Sequence, residues 1–248
     1  MCGSCTEILP QLPSGCARLV FADPPYNIGL KYDVYSDTKD YAQYVAWMDR
    51  WVSECYRVLS SDGAIYLMIG DEYAAEANLA LKKAGFTLRN WVVWHYTFGQ
   101  NQREKFARSH AHILYFVKNA KSFVWNLDDI RVPSARTEKY GDKRAHPLGK
   151  VPDDTWEFPR VCGTFRERLL KEDGSAHPCQ LPEALLTRVI KASSGVGDMV
   201  VDPFAGTGTT AMVSHRLGRK FFTCDLSVDY CSLTAARVYT DATRFRHD

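Results

Sequence analysis

Two short apolar runs in this chain each stop at an Asp-Pro step. Arg18–Ala22 runs into Asp23-Pro24-Pro25, and Met199–Val201 runs into Asp202-Pro203. Proline lacks a backbone donor, so neither run can continue as a central strand beyond its aspartate. Each therefore reads as a buried strand that ends on a carboxylate. In open α/β sheets ligands bind outside the carboxyl ends of the strands, which makes both acids candidates for chemistry.

The remaining pattern supplies the rest of an α/β chain. Tyr41, Tyr44, Val45, Met48, Trp51, Val52, Cys55, Val58 and Leu59 recur at helical spacing. Gly63 opens a strand over Ala64–Ile69, and a helix near Glu72–Ala84 stops at Gly85. Further strands are expected at Phe86–Tyr96, Ile113–Val117 and Lys220–Cys224. Helices are expected at Pro182–Ser193, near Thr209–Leu217 and from about Val228. Alternating strands and helices predict a largely parallel sheet. Between about Lys118 and Ala176 periodicity fades while prolines, aromatics and charges remain, which suits an insertion better than a plain connection. The 248 residues thus divide into a first half of one domain over 1–117, an inserted region over 118–176 and a second half of the same domain over 177–248.

The second aspartate opens Asp202-Pro203-Phe204-Ala205-Gly206-Thr207-Gly208-Thr209, a glycine turn between a strand and a helix. Glycines let the backbone approach a ligand, and the helix N-terminus favours an anion. No lysine follows Gly208, so this is not a nucleoside-triphosphate cradle. Asp225 ends the next strand, placed to accept bonds from ribose hydroxyls. A nucleoside with an anionic tail fits both features, and S-adenosylmethionine has both parts.

The first aspartate opens Asp23-Pro24-Pro25-Tyr26. An exocyclic amine of adenine or cytosine is a poor nucleophile because its lone pair is conjugated into the ring. Two acceptors on its hydrogens, the Asp23 carboxylate and the Pro24 carbonyl, can draw the nitrogen toward sp³. Pro24 and Pro25 hold both acceptors rigidly, which is preorganisation. Tyr26 offers a stacking face to a base taken out of the duplex.

These motifs carry a resemblance to the amino-DNA-methyltransferases of the β arrangement, with catalytic motif first, recognition region second and cofactor motif last. Asp23–Tyr26 matches the DPPY motif, extended by Asn27, and Asp202–Thr209 matches DPFAGSGT with Thr207 in place of Ser. His177-Pro178-Cys179-Gln180-Leu181-Pro182 matches an HPxQxP element, and Trp156–Val161 resembles the segment leading into it. The resemblance implies a Rossmann-like S-adenosylmethionine-dependent methyltransferase fold with an inserted target-recognition region. Asp202, Phe204, Ala205, Gly206, Thr207, Gly208, Thr209 and Asp225 would line the cofactor site, with His177 and Gln180 nearby. It also implies adenine N6 as target over cytosine N4, because the cytosine enzymes more often carry Ser where Asp23 stands. Asp225 stands where Glu is frequent and Ala111 where an acid is frequent. Asp71 reads either as a helix N-cap or as a border of the pocket. A homodimer and a partner restriction endonuclease are compatible with the resemblance. The competing classes are a catalytically silent DNA-binding protein and a methyltransferase of RNA or of protein glutamine.

Charge is unevenly spread. Residues 99–150 hold 11 Lys and Arg against 5 Asp and Glu, whereas the chain as a whole is only +2. Phosphate contacts dominate nucleic-acid affinity, so this third is the expected face toward double-stranded DNA. Its candidates are Gln100, Asn101 and Arg103, able to read base edges, with Lys105, Arg108, Arg136, Lys139 and Arg144 for phosphates and Asn27 beside the catalytic motif. His110 and His112 are expected as strand-end packing. The eight cysteines include one CxxC, Cys2–Cys5, and no second close pair, so reduced and mostly buried thiols are expected, and no metal site. No basic-then-apolar leader and no apolar run of roughly 20 residues occurs, which points to the cytoplasm and away from a membrane.

Overall fold

The computed structural model describes residues 1–30, 32, 34–100, 103–161 and 180–244. Its strands are β1 (Ala17–Ala22), β2 (Leu59–Ile69), β3 (Thr87–Gln100), β4 (Arg108–Val117), β5 (Thr155–Glu157), β6 (Met199–Asp202) and β7 (Lys220–Thr223). Its α-helices are α1 (Cys5–Ile8), α2 (Tyr41–Val58), α3 (Ala74–Ala84), α4 (Ala135–Glu138), α5 (Glu183–Ser193), α6 (Thr209–Arg216) and α7 (Val228–Arg244). The strands form one sheet in the order β5-β3-β4-β2-β1-β6-β7. Only β4 runs against its neighbours, β2 and β3; the other pairings are parallel.

The centre of the sheet is buried on both faces, as a parallel sheet with helices on each side requires. Leu19, Val20, Phe21 and Ala22 of β1 are all fully buried. Successive residues point to opposite faces. Val20, Ile65 and Leu67 meet Tyr44, Trp51 and Leu81 of α2 and α3, while Leu19, Phe21 and Ile113 meet Leu185, Val189 and Ile190 of α5. Helix α2 starts where Asp40 accepts a bond from the Gln43 amide at 2.9 Å. Helix α3 stops at Gly85, whose φ of 104° returns the Phe86 amide to the Leu81 carbonyl.

The expected elements recur within a few residues, with two differences. The hairpin β3–β4 is longer than the apolar runs suggested. It continues through Gln100 and resumes at Arg108, so Gly99 and Gln100 are strand backbone and His110 and His112 lie within β4. The region after Lys118 also returns to the sheet. Thr155–Glu157 pairs in parallel with Val93–His95, and Trp156 is buried. Three residues are too few to show a strand period, so pairing reveals β5 where pattern does not.

Among the described cysteines, Cys5, Cys55 and Cys224 are buried, Cys16 and Cys231 half-buried and Cys2 exposed, all as free thiols. Burial is thus less general than expected; Cys162 and Cys179 lie outside the described residues. Among the described residues no helix is long and apolar enough to cross a membrane. For the site, the decisive feature is that β1 and β6 are hydrogen-bonded neighbours, with Val20 opposite Val201. Asp23 and Asp202 therefore leave the same edge of the sheet side by side.

Candidate active site

Asp23 follows β1 directly. The Tyr26 hydroxyl donates to Asp23 Oδ1 at 3.0 Å, and the Tyr44 hydroxyl donates to the Pro25 carbonyl at 2.6 Å. The chain then turns on Asn27, whose φ of 57° is the only left-handed value among described non-glycine residues. Asp37 makes that turn possible. Its buried carboxylate accepts from the amides of Asn27 at 2.7 Å, Ile28 at 3.1 Å and Leu30 at 3.0 Å. Asn27 is itself consumed internally: its amide donates to the Lys39 carbonyl and the Tyr73 hydroxyl and accepts from the Lys39 amide. The expectation that Asn27 touches DNA is corrected accordingly, because its side chain holds the loop closed.

The second turn is tied to the strands beside it. Asp202 accepts from the Phe204 amide at 2.9 Å, and Ala205 donates to the Cys224 carbonyl at 2.9 Å. Gly206 donates to Asp225 Oδ2 at 2.9 Å, while Asp225 Oδ1 takes the Ser227 amide at 3.0 Å. From the far side the buried Arg237 donates to the Thr207 carbonyl at 2.5 Å. Gly208, at φ 75°, leaves no room for a side chain, since a Cβ there would stand 2.5 Å from Thr234 Oγ1. Gly208 is absent from the cavity lining and packs against α7, so its expected contact with cofactor is corrected to a packing role.

Both turns open onto one cavity of about 730 Å³, within the roughly 300–1,000 Å³ usual for small-molecule sites. Asp23, Pro24, Pro25 and Tyr26 line it, as do Asp202, Phe204, Ala205, Gly206, Thr207, Thr209, Gln180 and Asp225. Burial among protein atoms lifts the Asp23 carboxyl to about 7; the Tyr26 bond opposes that rise and Asp202 adds to it. Burial likewise lifts Asp202 to about 6, against hydrogen bonds from Thr210 and Phe204.

Sequence reasoning missed several walls of this cavity. Ser4 and Thr6 line it because Gly3 donates to the Asp225 carbonyl at 2.8 Å, which brings the first residues beside the glycine turn. Trp47 lines it with its ring 5.7 Å from that of Phe204. Trp94 and Tyr96 of β3 close the opposite wall, with the Arg160 guanidinium 4.9 Å from the Tyr96 ring. Their alternation in β3 was legible; that this face meets the cavity depends on the sheet order. A nucleoside with a charged tail suits the set. Aromatic rings flank Phe204, Asp225 can receive hydroxyl groups, and Arg50 and the start of α6 offer positive charge to an anion.

The expected DNA contacts are more dispersed. Arg108 is paired with Glu72 and, at 3.4 Å, with Asp71. Arg136 and Arg144 share Asp142, which their hydrogen bonds hold well below the usual carboxylate range. Lys139 lies 5.5 Å over the Tyr140 ring. Arg103 and Lys105 are exposed beyond β3. Asn101, His177 and the Gln100 side chain lie outside the described residues.

Asp71 neither caps a helix by its side chain nor lines the cavity. Its carboxylate lies 2.9 Å from His112 Nε2 and 3.1 Å from His110 Nε2, and these three residues lie close enough to suggest a metal site. The hydrogen bonds argue otherwise. Trp91 Nε1 donates to His112 Nδ1 at 3.0 Å, so the ring hydrogen sits on Nε2 and points at Asp71. A nitrogen that carries that hydrogen has no lone pair for a cation. Burial keeps the His112 pKa below its ordinary value, consistent with a neutral ring.

Two carboxylates at adjacent strand ends, one beside a glycine turn and the other in a rigid Asp-Pro-Pro-Tyr loop, define a group-transfer enzyme built on an α/β sheet. Residues 17–236 match the N6_N4_Mtase family, described as DNA methylase. The type II methyltransferase M.HpaI of Haemophilus parainfluenzae is 34% identical over 246 residues, 99% of this chain and 75% of its own. The DNA adenine methyltransferase YhdJ of Escherichia coli (strain K12) is 35% identical over 248 residues, 95% of this chain and 81% of its own. Among solved structures, a DNA modification methylase of Thermus thermophilus complexed with S-adenosyl-L-methionine superposes with a TM-score of 0.67 at 22% identity, covering 97% of this chain and 92% of its own. The cytosine-N4-specific PvuII DNA methyltransferase gives 0.74 at 18% identity, covering 95% and 84%. At those identities the structures establish the fold. The chain belongs to the N6_N4_Mtase family of DNA methylases.

Proposed function

We propose that this DNA methyltransferase modifies the exocyclic N6 of adenine, on a base turned out of double-stranded DNA into the Asp23 end of the cavity. The observation that carries the reading is that Asp23 and the Gly206 turn line one cavity. S-adenosylmethionine supplies an activated methyl group when bound. Asp225 and the turn over 202–209 hold its nucleoside and tail, and Phe204 with Trp47 gives its base an apolar slot.

Asp23 and the Pro24 carbonyl accept the two amine hydrogens, which frees the nitrogen lone pair toward the methyl carbon. Tyr26 stacks on the entering base, with Trp94 and Tyr96 across the cavity. As the N–C bond forms and the S–C bond breaks, the nitrogen becomes cationic and must lose a proton. A carboxyl with a pKa of about 7 is suited to take that proton at neutral pH and pass it on. Alignment and electrostatics carry most of the catalysis, because the methyl donor needs no further activation.

Adenine is favoured over cytosine by Asp23, where cytosine enzymes of similar sequence more often carry Ser, and by the 35% identity to a relative described as an adenine enzyme. Residues 118–176 are the proposed target-recognition region. The test is a nuclease digest of DNA methylated by the purified protein, followed by mass spectrometry. N6-methyladenine is expected; N4-methylcytosine without it would overturn the choice of base.

A further inference from the structure

The side chain of Phe106 is fully exposed, a higher exposure than any other large apolar residue described. It sits in the turn between β3 and β4, flanked by the exposed cations Arg103 and Lys105. Among the described residues neither cation is in an ion pair, whereas Arg108, Arg136 and Arg144 are each neutralised by carboxylates. An unburied phenyl in a basic turn gains nothing from the fold itself, so its partner lies outside the molecule.

The register fixes where that turn stands. β4 pairs with β2 only from His112 onward, opposite Ile69, while its first residues, Arg108 to Ala111, pair with β3 alone. The hairpin therefore overhangs the carboxyl edge of β2 by four residues, about 13 Å at strand spacing. That is the edge at which Asp23 and Tyr26 stand. The same hairpin supplies Trp94, Tyr96 and Ala111 to the cavity wall, so its tip rises at the rim of the site.

We propose that Phe106 enters the base stack of the duplex as a wedge and fills the gap left by the extracted target base. Apolar side chains between base steps stabilise unstacked duplexes in other DNA-bound proteins, and a phenyl face stacks on any base. Arg103 and Lys105 hold the phosphates on either side of the opened step. This rests on the methylation reading above and adds the residue that keeps the base out.

The test uses the full chain and Phe106→Ala. The modified site is first mapped by sequencing DNA from expressing cells, and two duplexes of that site are made. One is fully paired and the other carries an abasic position opposite the target, which removes the pairing to be broken. Phe106→Ala should lower kcat/KM on the paired duplex at least tenfold, a loss of about 1.4 kcal/mol. On the abasic duplex the loss should stay below threefold, with cofactor affinity unchanged. Phe106→Trp should retain activity on both duplexes. Equal losses on the two duplexes, or no loss on either, would overturn the wedge. A wild-type protein inactive on both duplexes would instead overturn the methylation reading beneath it.

Discussion

The Tyr26 hydroxyl donates to the Asp23 carboxylate across 3.0 Å, so before any base arrives the catalytic acid already has a partner on Oδ1. That bond stabilises the ionised acid against burial, which pushes the other way. The pair thus sets the pH at which Asp23 is available as an acceptor. Because the ionised form is the better acceptor, kcat/KM for DNA should rise with pH around a midpoint near 7. In Tyr26→Phe the opposing bond is gone and the midpoint should move to higher pH, alongside any loss of stacking. A midpoint unchanged in Tyr26→Phe would separate the two residues functionally.

Asp23 also makes stability depend on pH, with a sign opposite to that of an ion-paired acid. Its folded pKa of about 7 lies above the ordinary 3.8, so the folded chain holds a proton that the unfolded chain releases. Below about pH 4 both states are protonated and Asp23 costs nothing. Between about pH 4 and 7 the cost grows, and above 7 it is complete at no more than about 4 kcal/mol. Asp23→Asn removes this titration. Its Tm advantage over wild type should open between pH 4 and 7 and stay level above, while methyl transfer is lost. A Tm difference independent of pH would contradict the burial account.

Asp37 serves three backbone amides that have no helix or strand to satisfy them. Asp37→Ala should destabilise the protein by about 2–4 kcal/mol, measured by denaturant midpoint, because it strands those donors in a buried turn. Activity should fall further than stability explains, since the same turn carries Tyr26. Asp37→Asn, which keeps an acceptor, should be milder on both counts.

Gly208→Ala should cost at least about 2 kcal/mol, from a left-handed φ and from the clash with Thr234. Cofactor affinity measured by calorimetry should fall with it, because the turn would be pushed into the cavity. Thr234→Ala should rescue only in part. The Thr234 Cβ itself would stand 2.8 Å from the new methyl.

Both aspartate turns, β1, α2, the Gly85 stop and the β6–α6–β7 run were legible because each is set by residues close in sequence. What sequence did not reveal depends on contacts across the fold. Asp37 lies ten residues from Asn27 and looks like an ordinary polar loop residue until its carboxylate is seen among the amides. Ser4 and Thr6 reach the cavity only through the bridge to Asp225. The positive count over 99–150 overstated the charge available to DNA. Asp71, Glu72 and Asp142 take up Arg108, Arg136 and Arg144, and two of those acids lie outside that stretch. Phe106 was passed over because one apolar residue in a polar turn has no periodicity to flag it.

Neighbouring strands β1 and β6 bring together two aspartates separated by most of the polypeptide. The reactive centre is thereby insulated from what happens at the opposite border of the sheet, where β3 and β5 lie. Insertions or exchanges in the intervening segments can alter which sequences are chosen without disturbing how the reaction proceeds. Such an architecture lets selectivity diversify on a fixed chemical engine.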